Sequence, residues 1–204
     1  TDEKITQLKH SPAMYLGSCR YKLPTYVGDS ETYDKLFKTF ERLNITDFYY
    51  IGGNDSMDTV AKLSAYAKVI DSPIRFIGIP KTIDNDLMGT DHTPGFGSAA
   101  KYVATSMLEV AYDSSIYKLD SVTIVEIMGR NAGWLTASAI LTKVSNTPVD
   151  LIYVPEAPFD IQKFLNKVEK IYQEKQKVLI AVSEGIKTIE GEYFLKQHIS
   201  NKTD

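Results

Sequence analysis

The chain has 204 residues, 43% of them hydrophobic and 24% charged, with a formal net charge of -3 at pH 7. This is the composition of an ordinary globular protein, and the charge gives no electrostatic reason to expect nucleic acid or an anionic membrane as a partner. No apolar run has the length of a membrane span, the opening TDEKITQLKH lacks the apolar core of a signal peptide, and a single cysteine, Cys19, excludes an internal disulfide or a cysteine-based zinc site. A cytoplasmic location is expected, since a reducing compartment fits this cysteine usage.

In chain order, DSETYDKLFKTFERL at 29–43 predicts a helix with Leu36, Phe37, Phe40 and Leu43 on one face. DFYYI at 47–51 predicts a strand; two glycines follow, and MDTVAKLSAYAKVI predicts a helix beginning near Ser56. IRFIGIP at 74–80 predicts the next strand, and GSAAKYVATSMLEVAY a long helix. SVTIVEI at 121–127 predicts a buried strand, with NAGWLTASAILTKV helical after it and Trp134 in its core face. DLIYVP at 150–155 predicts a strand, and DIQKFLNKVEKIYQEK the clearest helix, with Asp160 as N-cap and Ile161, Phe164, Leu165, Val168, Ile171 and Tyr172 in the i, i+3, i+4, i+7 pattern. KVLIAV at 177–182 predicts a last strand, after which periodicity fades. Alternation of strands with helices of about a dozen residues predicts an α/β fold: a doubly wound, mainly parallel sheet with helices on both faces.

Each of the five strands runs into a polar or glycine-rich loop: Gly52-Gly53-Asn54-Asp55-Ser56, Pro80 to Asp86, Met128-Gly129-Arg130, Pro155-Glu156 and Ser183-Glu184-Gly185. In an open α/β sheet, ligands bind beyond the carboxyl ends of the strands, so the five loops predict a single site. The first loop suits a phosphate, because glycines admit close approach and a helix N-terminus favours an anion; an ordinary tight turn would read the same. In PKTIDNDL, Asp84 and Asp86 lie two apart beside Lys81 and Thr82. One carboxylate could take a proton from a hydroxyl nucleophile, the other could hold Mg²⁺, and Lys81 could stabilise a transferring phosphoryl group; a solvated polar turn is the plain alternative. Arg130 suits bidentate phosphate binding, Arg20 is a second phosphate candidate, and Glu156 or Glu184 could accept from sugar hydroxyls. Taken singly, each also suits a surface residue. His10, His92 and His198 show no ligand spacing, and His10 and His198 read as surface residues.

Together the segments GSCR, IGGNDSMDT, GIPKTIDNDL, DHTPGFGSA, IVEIMGRNAG, VPEAP and VSEG resemble the phosphofructokinase family in order and spacing, across nearly the whole chain. The resemblance implies phosphoryl transfer to the 1-hydroxyl of fructose 6-phosphate. It makes Asp84 the base and Asp86 part of the Mg²⁺ environment, with Asp55 a second metal candidate. Thr82 would touch the sugar and the phosphoryl group, Met128, Gly129 and Arg130 would form the motif whose arginine stabilises the transition state, and Glu156 would bind fructose hydroxyls. Gly53, Asn54, Asp55, Ser56, Arg20 and Lys81 would hold the donor phosphates.

The resemblance also assigns the donor. Members using ATP carry glycines where this chain has Asp55 and Lys81; those using pyrophosphate carry Asp and Lys. A carboxylate at Asp55 obstructs an ATP α-phosphate, and a lysine suits a compact, highly charged donor. Departures are Asn54, where the family has Asp, and Ser121, where many members have an arginine reaching a neighbour's sugar phosphate. The family's N-terminal GGxxPG loop and C-terminal Arg and His residues have no counterpart here. The resemblance therefore implies the central part of a longer protein, a homo-oligomer (dimer or tetramer), with residues 1–125 handling the donor and 126–204 the sugar phosphate. An ATP-dependent relative and a non-catalytic phosphate-binding subunit are the other readings.

Overall fold

A computed structural model describes residues 2–11, 14, 15, 17, 18 and 21–197. The elements are α1 (Asp2–Leu8), α2 (Ser30–Arg42), β1 (Asp47–Gly52), α3 (Asn54–Val69), β2 (Arg75–Pro80), α4 (Phe96–Ile116), β3 (Ser121–Ile127), α5 (Trp134–Ala137) running into a 3₁₀ segment (Ser138–Val144), β4 (Leu151–Tyr153), α6 (Ile161–Lys175), β5 (Lys177–Ser183) and a short 3₁₀ turn (Phe194–Gln197). All five expected strands form, and all pair in parallel. Hydrogen bonding divides them between two sheets, β1-β2 and β3-β5-β4. Contacts divide the chain correspondingly into two compact units, Thr1–Pro80 and Lys81–Asp204. The domain boundary expected at 125/126 falls inside β3.

In the first unit, α2 begins where Asp29 caps it, accepting from the Thr32 N–H at 3.2 Å. The buried face of α2 carries Tyr33, Phe37 and Phe40, and α3 contributes Leu63, Tyr66 and Ala67 to the same core. Phe37 sits edge-on to Phe40 and Tyr66 and tilted against Phe76 of β2. Alternation along β1 and β2 turns Phe48 and Phe76 into this core and leaves Tyr49, Ile51, Ile77 and Ile79 exposed.

In the second unit, β5 is central and covered on both faces. Leu179 and Ala181 pack with Met107 and Ala111 of α4 and Leu135 of α5, while Val178 and Ile180 pack with Phe164 of α6. Residues of β5 at alternate positions therefore serve opposite cores, as a strand between two helical layers requires. Asp160 caps α6 as expected, accepting from the N–H groups of Gln162 and Lys163. No helix among the described residues is long and apolar enough to cross a membrane.

Residues 131–144 depart from the expected helix: one α-turn gives way to a 3₁₀ segment. Ser138 and Thr142 are buried, and each hydroxyl donates to the carbonyl three residues back, Leu135 and Ala139 respectively. These bonds compete with the i−4 backbone pattern and accompany the tighter winding. Trp134 is correspondingly not in the core: Leu135 and Thr136 take the inward positions and Trp134 is 55% exposed.

Phe37 is 2% exposed at the centre of the first unit's aromatic cluster. Phe37→Ala is expected to cost about 3–5 kcal/mol through lost transfer energy and the cavity left behind, measured by chemical denaturation.

Candidate active site

The loop after β1 lies in the first unit. Gly53 is the N-cap of α3 and has no side chain with which to close the helix end. The helix starts at Asn54, two residues before the sequence-based start, so Asn54, Asp55 and Ser56 form its first turn. Asn54 and Asp55 are exposed, Gly53 and Ser56 half-buried. The Ser56 N–H donates to the Gly53 carbonyl at 3.0 Å; a helix N-terminus favours an anion, and the Asp55 carboxylate interacts favourably with the same end. Arg20, Cys19 and His198 lie outside the described residues.

The other candidate residues belong to the second unit. Lys81 is exposed. Thr82 forms an isolated bridge with Gly95, and its hydroxyl accepts from the Asp84 N–H at 3.1 Å. Asp84 is half-buried, and its Oδ1 is shielded from solvent with no hydrogen-bond partner among the described residues. Burial, followed by the charges of Asp86 and Glu184, holds Asp84 above the ordinary carboxylate range, with Lys81 pulling the other way. Asp86 is exposed. His92 is exposed, its ring 5.6 Å from that of Phe96, and His10 is exposed as expected.

The end of β3 is locked to the end of β5. Ile127 pairs with Ser183, and the Glu184 N–H continues the ladder to the Ile127 carbonyl. Glu184 accepts from the Gly129 N–H at 3.2 Å, and the Ser183 hydroxyl donates to the Gly129 carbonyl at 2.8 Å. Gly129 is held at φ 123°, a conformation that excludes other residue types. Gly185 lies against the Arg130 carbonyl, where a Cβ would stand only 1.8 Å from that oxygen. Met128 and Arg130 are exposed at this strand end.

Glu184 thus joins two motifs: it holds the loop bearing Arg130 and acts electrostatically on Asp84. The sequence offers Glu184 as a strand-end carboxylate that could accept from sugar hydroxyls but not as a partner of Gly129, because that link depends on β3-β5 register. Glu156, by contrast, accepts from the Gly133 N–H at 2.7 Å, at the start of α5. No described contact joins it to the 81–86 loop. Ser121, at the start of β3, has its hydroxyl 3.2 Å from that of Ser114.

The donor set is one of carboxylate oxygens, which suits a hard cation such as Mg²⁺. No cluster of three His, Cys, Asp or Glu side chains among the described residues could hold an ion by itself.

A family model described as Phosphofructokinase matches residues 1–204. The chain is 40% identical over 196 residues to a Halomonas elongata protein named pyrophosphate–fructose 6-phosphate 1-phosphotransferase, covering 95% of this chain and 47% of that protein. To the Xanthomonas campestris pv. campestris protein of the same name it is 42% identical over 192 residues, covering 93% and 46%. Among solved structures, a pyrophosphate-dependent phosphofructokinase from Nitrosospira multiformis matches with a TM-score of 0.78 at 39% identity, covering 94% of this chain and 48% of that one. The chain spans about half the length of these relatives.

The raised Asp84 has a consequence for stability. The unfolded chain releases this proton at lower pH than the folded chain, so the folded state loses stability as pH rises through that window. Asp84→Asn in the complete protein is expected to raise the melting temperature at pH 7. The gain should shrink as pH falls through the carboxylate range, read by thermal denaturation at several pH values. A variant no more stable than wild type at pH 7 contradicts this.

Proposed function

The chain belongs to the phosphofructokinase family, and from that premise we propose that its parent protein moves a phosphoryl group from pyrophosphate to the 1-hydroxyl of fructose 6-phosphate, giving fructose 1,6-bisphosphate. The observation that carries the reading is Asp84: a half-buried carboxylate with an unpartnered oxygen, held above its ordinary pKa beside Lys81. A carboxylate tuned upward is a better base towards a hydroxyl. The names of the relatives, at about 40% identity over nearly the whole chain, support pyrophosphate as donor.

In this reading Asp84 accepts the proton of the attacking hydroxyl. Arg130 and Lys81 stabilise charge on the phosphoryl group in flight, which is the main catalytic requirement of such transfers. Gly53, Asn54, Asp55, Ser56 and Arg20 hold the donor phosphates, and Asp55 with Lys81 disfavours ATP. Thr82, Met128, Gly129 and Glu156 bind the sugar phosphate. Glu156 is exposed, and one of its carboxylate oxygens accepts from Gly133, which leaves the other for this role, while Glu184 acts electrostatically on the base. Asp86 and Asp55 would hold Mg²⁺, which when bound neutralises phosphate charge. Residues 1–125 serve the donor and 126–204 the sugar. A cytoplasmic homo-oligomer, dimer or tetramer, accompanies this reading.

A coupled assay of the complete protein with each donor tests it. Turnover with pyrophosphate is expected; turnover with ATP alone overturns the donor assignment, and turnover with neither leaves a non-catalytic phosphate-binding protein. Asp84→Asn is expected to lower kcat by about 10²- to 10⁴-fold, with the fold intact by circular dichroism.

A further inference from the structure

We infer that Asn85 is a positioning residue that fixes the two aspartates flanking it, an inference that rests on the functional reading of Asp84 and Asp86. Of residues 84–95, only Asn85 and Thr93 are buried; Asp86 and residues 88–92 are exposed. Such a loop has little apolar packing with which to hold a shape, so its geometry depends on hydrogen bonds.

Those bonds converge on Asn85. Its backbone is left-handed at φ 58°, a conformation that asparagine tolerates better than most residues. Its side-chain amide donates to the Asp91 carbonyl at 3.1 Å and accepts from the Thr93 N–H at 2.9 Å. The Thr93 hydroxyl lies 3.3 Å from the Asn85 oxygen and 2.7 Å from the Thr82 carbonyl. With one proton to give, it serves the shorter contact. Asn85 therefore ties the far side of the loop to its base, and Thr93 ties that base back to Thr82. Thr82 in turn accepts from the Asp84 N–H. The chain is clamped on both sides of Asp84, and Asp86 follows directly from the clamped residue.

The residue type matters on two counts. Glycine would accept the left-handed backbone but remove both amide bonds. Aspartate would keep the shape but lose the donor to Asp91 and put a third carboxylate between Asp84 and Asp86. A residue that only filled a turn would not need a donor and an acceptor at once.

The test uses the complete protein in the coupled assay, with kcat and KM measured for pyrophosphate and for fructose 6-phosphate. Asn85→Gly is expected to lower kcat by roughly 10²-fold, the scale set by misplacing a reacting group by about 1 Å, while both KM values stay close to wild type. Thr93→Val approaches the same clamp from its other end and leaves residue 85 intact. It is expected to lower kcat in the same way by a smaller factor, which keeps the inference open to refutation should Asn85→Gly fold poorly. Wild-type kcat in either folded variant overturns the inference, as does a loss that only tracks the folded fraction. An inactive wild-type protein overturns the functional reading itself and this inference with it.

Discussion

Both backbone groups of Gly129 are taken by consecutive residues of the neighbouring strand end. Glu184 accepts its N–H, and the Ser183 hydroxyl, 1% exposed in side chain and backbone together, donates to its carbonyl. The same hydroxyl accepts from the Gly185 N–H. A buried hydroxyl satisfied in both directions is costly to disturb, because any displaced partner would be left without solvent to replace it. The position of Arg130 therefore follows from the register of β3 on β5, and so does the presence of the Glu184 charge near Asp84. Register depends on the two cores that β5 serves: a slip of one residue would exchange Leu179 and Ala181 with Val178 and Ile180 between opposite faces. The site is in this sense a product of side-chain size along one strand.

Much of the framework was legible in the sequence, because burial on a strand or helix face leaves a periodic trace. All five strands and the cap at Asp160 follow that trace. Legibility fails where hydrogen bonds rather than burial decide. The apolar pattern at 131–144 is compatible with an α-helix, but the hydroxyls of Ser138 and Thr142 engage i−3 carbonyls and Trp134 turns outward. Residue types also gave the carboxylates, the lysine and the arginine. They gave no role to Asn85 or Ser183, because an asparagine between two aspartates and a serine at a strand end are common in turns. Only the partners, Asp91 and Thr93 for one and Gly129 for the other, distinguish them.

The carboxylates of the second unit present an electrostatic problem that bears on function. Burial first, and then the charges of Asp86 and Glu184, raise the cost of ionising Asp84, and Lys81 opposes this. For folding, this arrangement is a liability, since like charges near a partly buried group stabilise the neutral form. For a base it is useful, provided that the proton can be lost when substrate is present. A phosphate donor would add more negative charge, which by itself would hold the proton on Asp84 and oppose the reaction. The reading therefore requires cationic compensation to arrive with, or already face, the donor. In the proposed function Lys81 and the Arg130 loop would supply part of it from the chain, and Mg²⁺ held by Asp86 would supply further positive charge. A site assembled only for stability would have paired Asp84 internally, as Glu184 is paired with the Gly129 N–H. Among the described residues the buried Oδ1 of Asp84 has no hydrogen-bond partner; in the proposed function, the attacking hydroxyl would be the group that satisfies it.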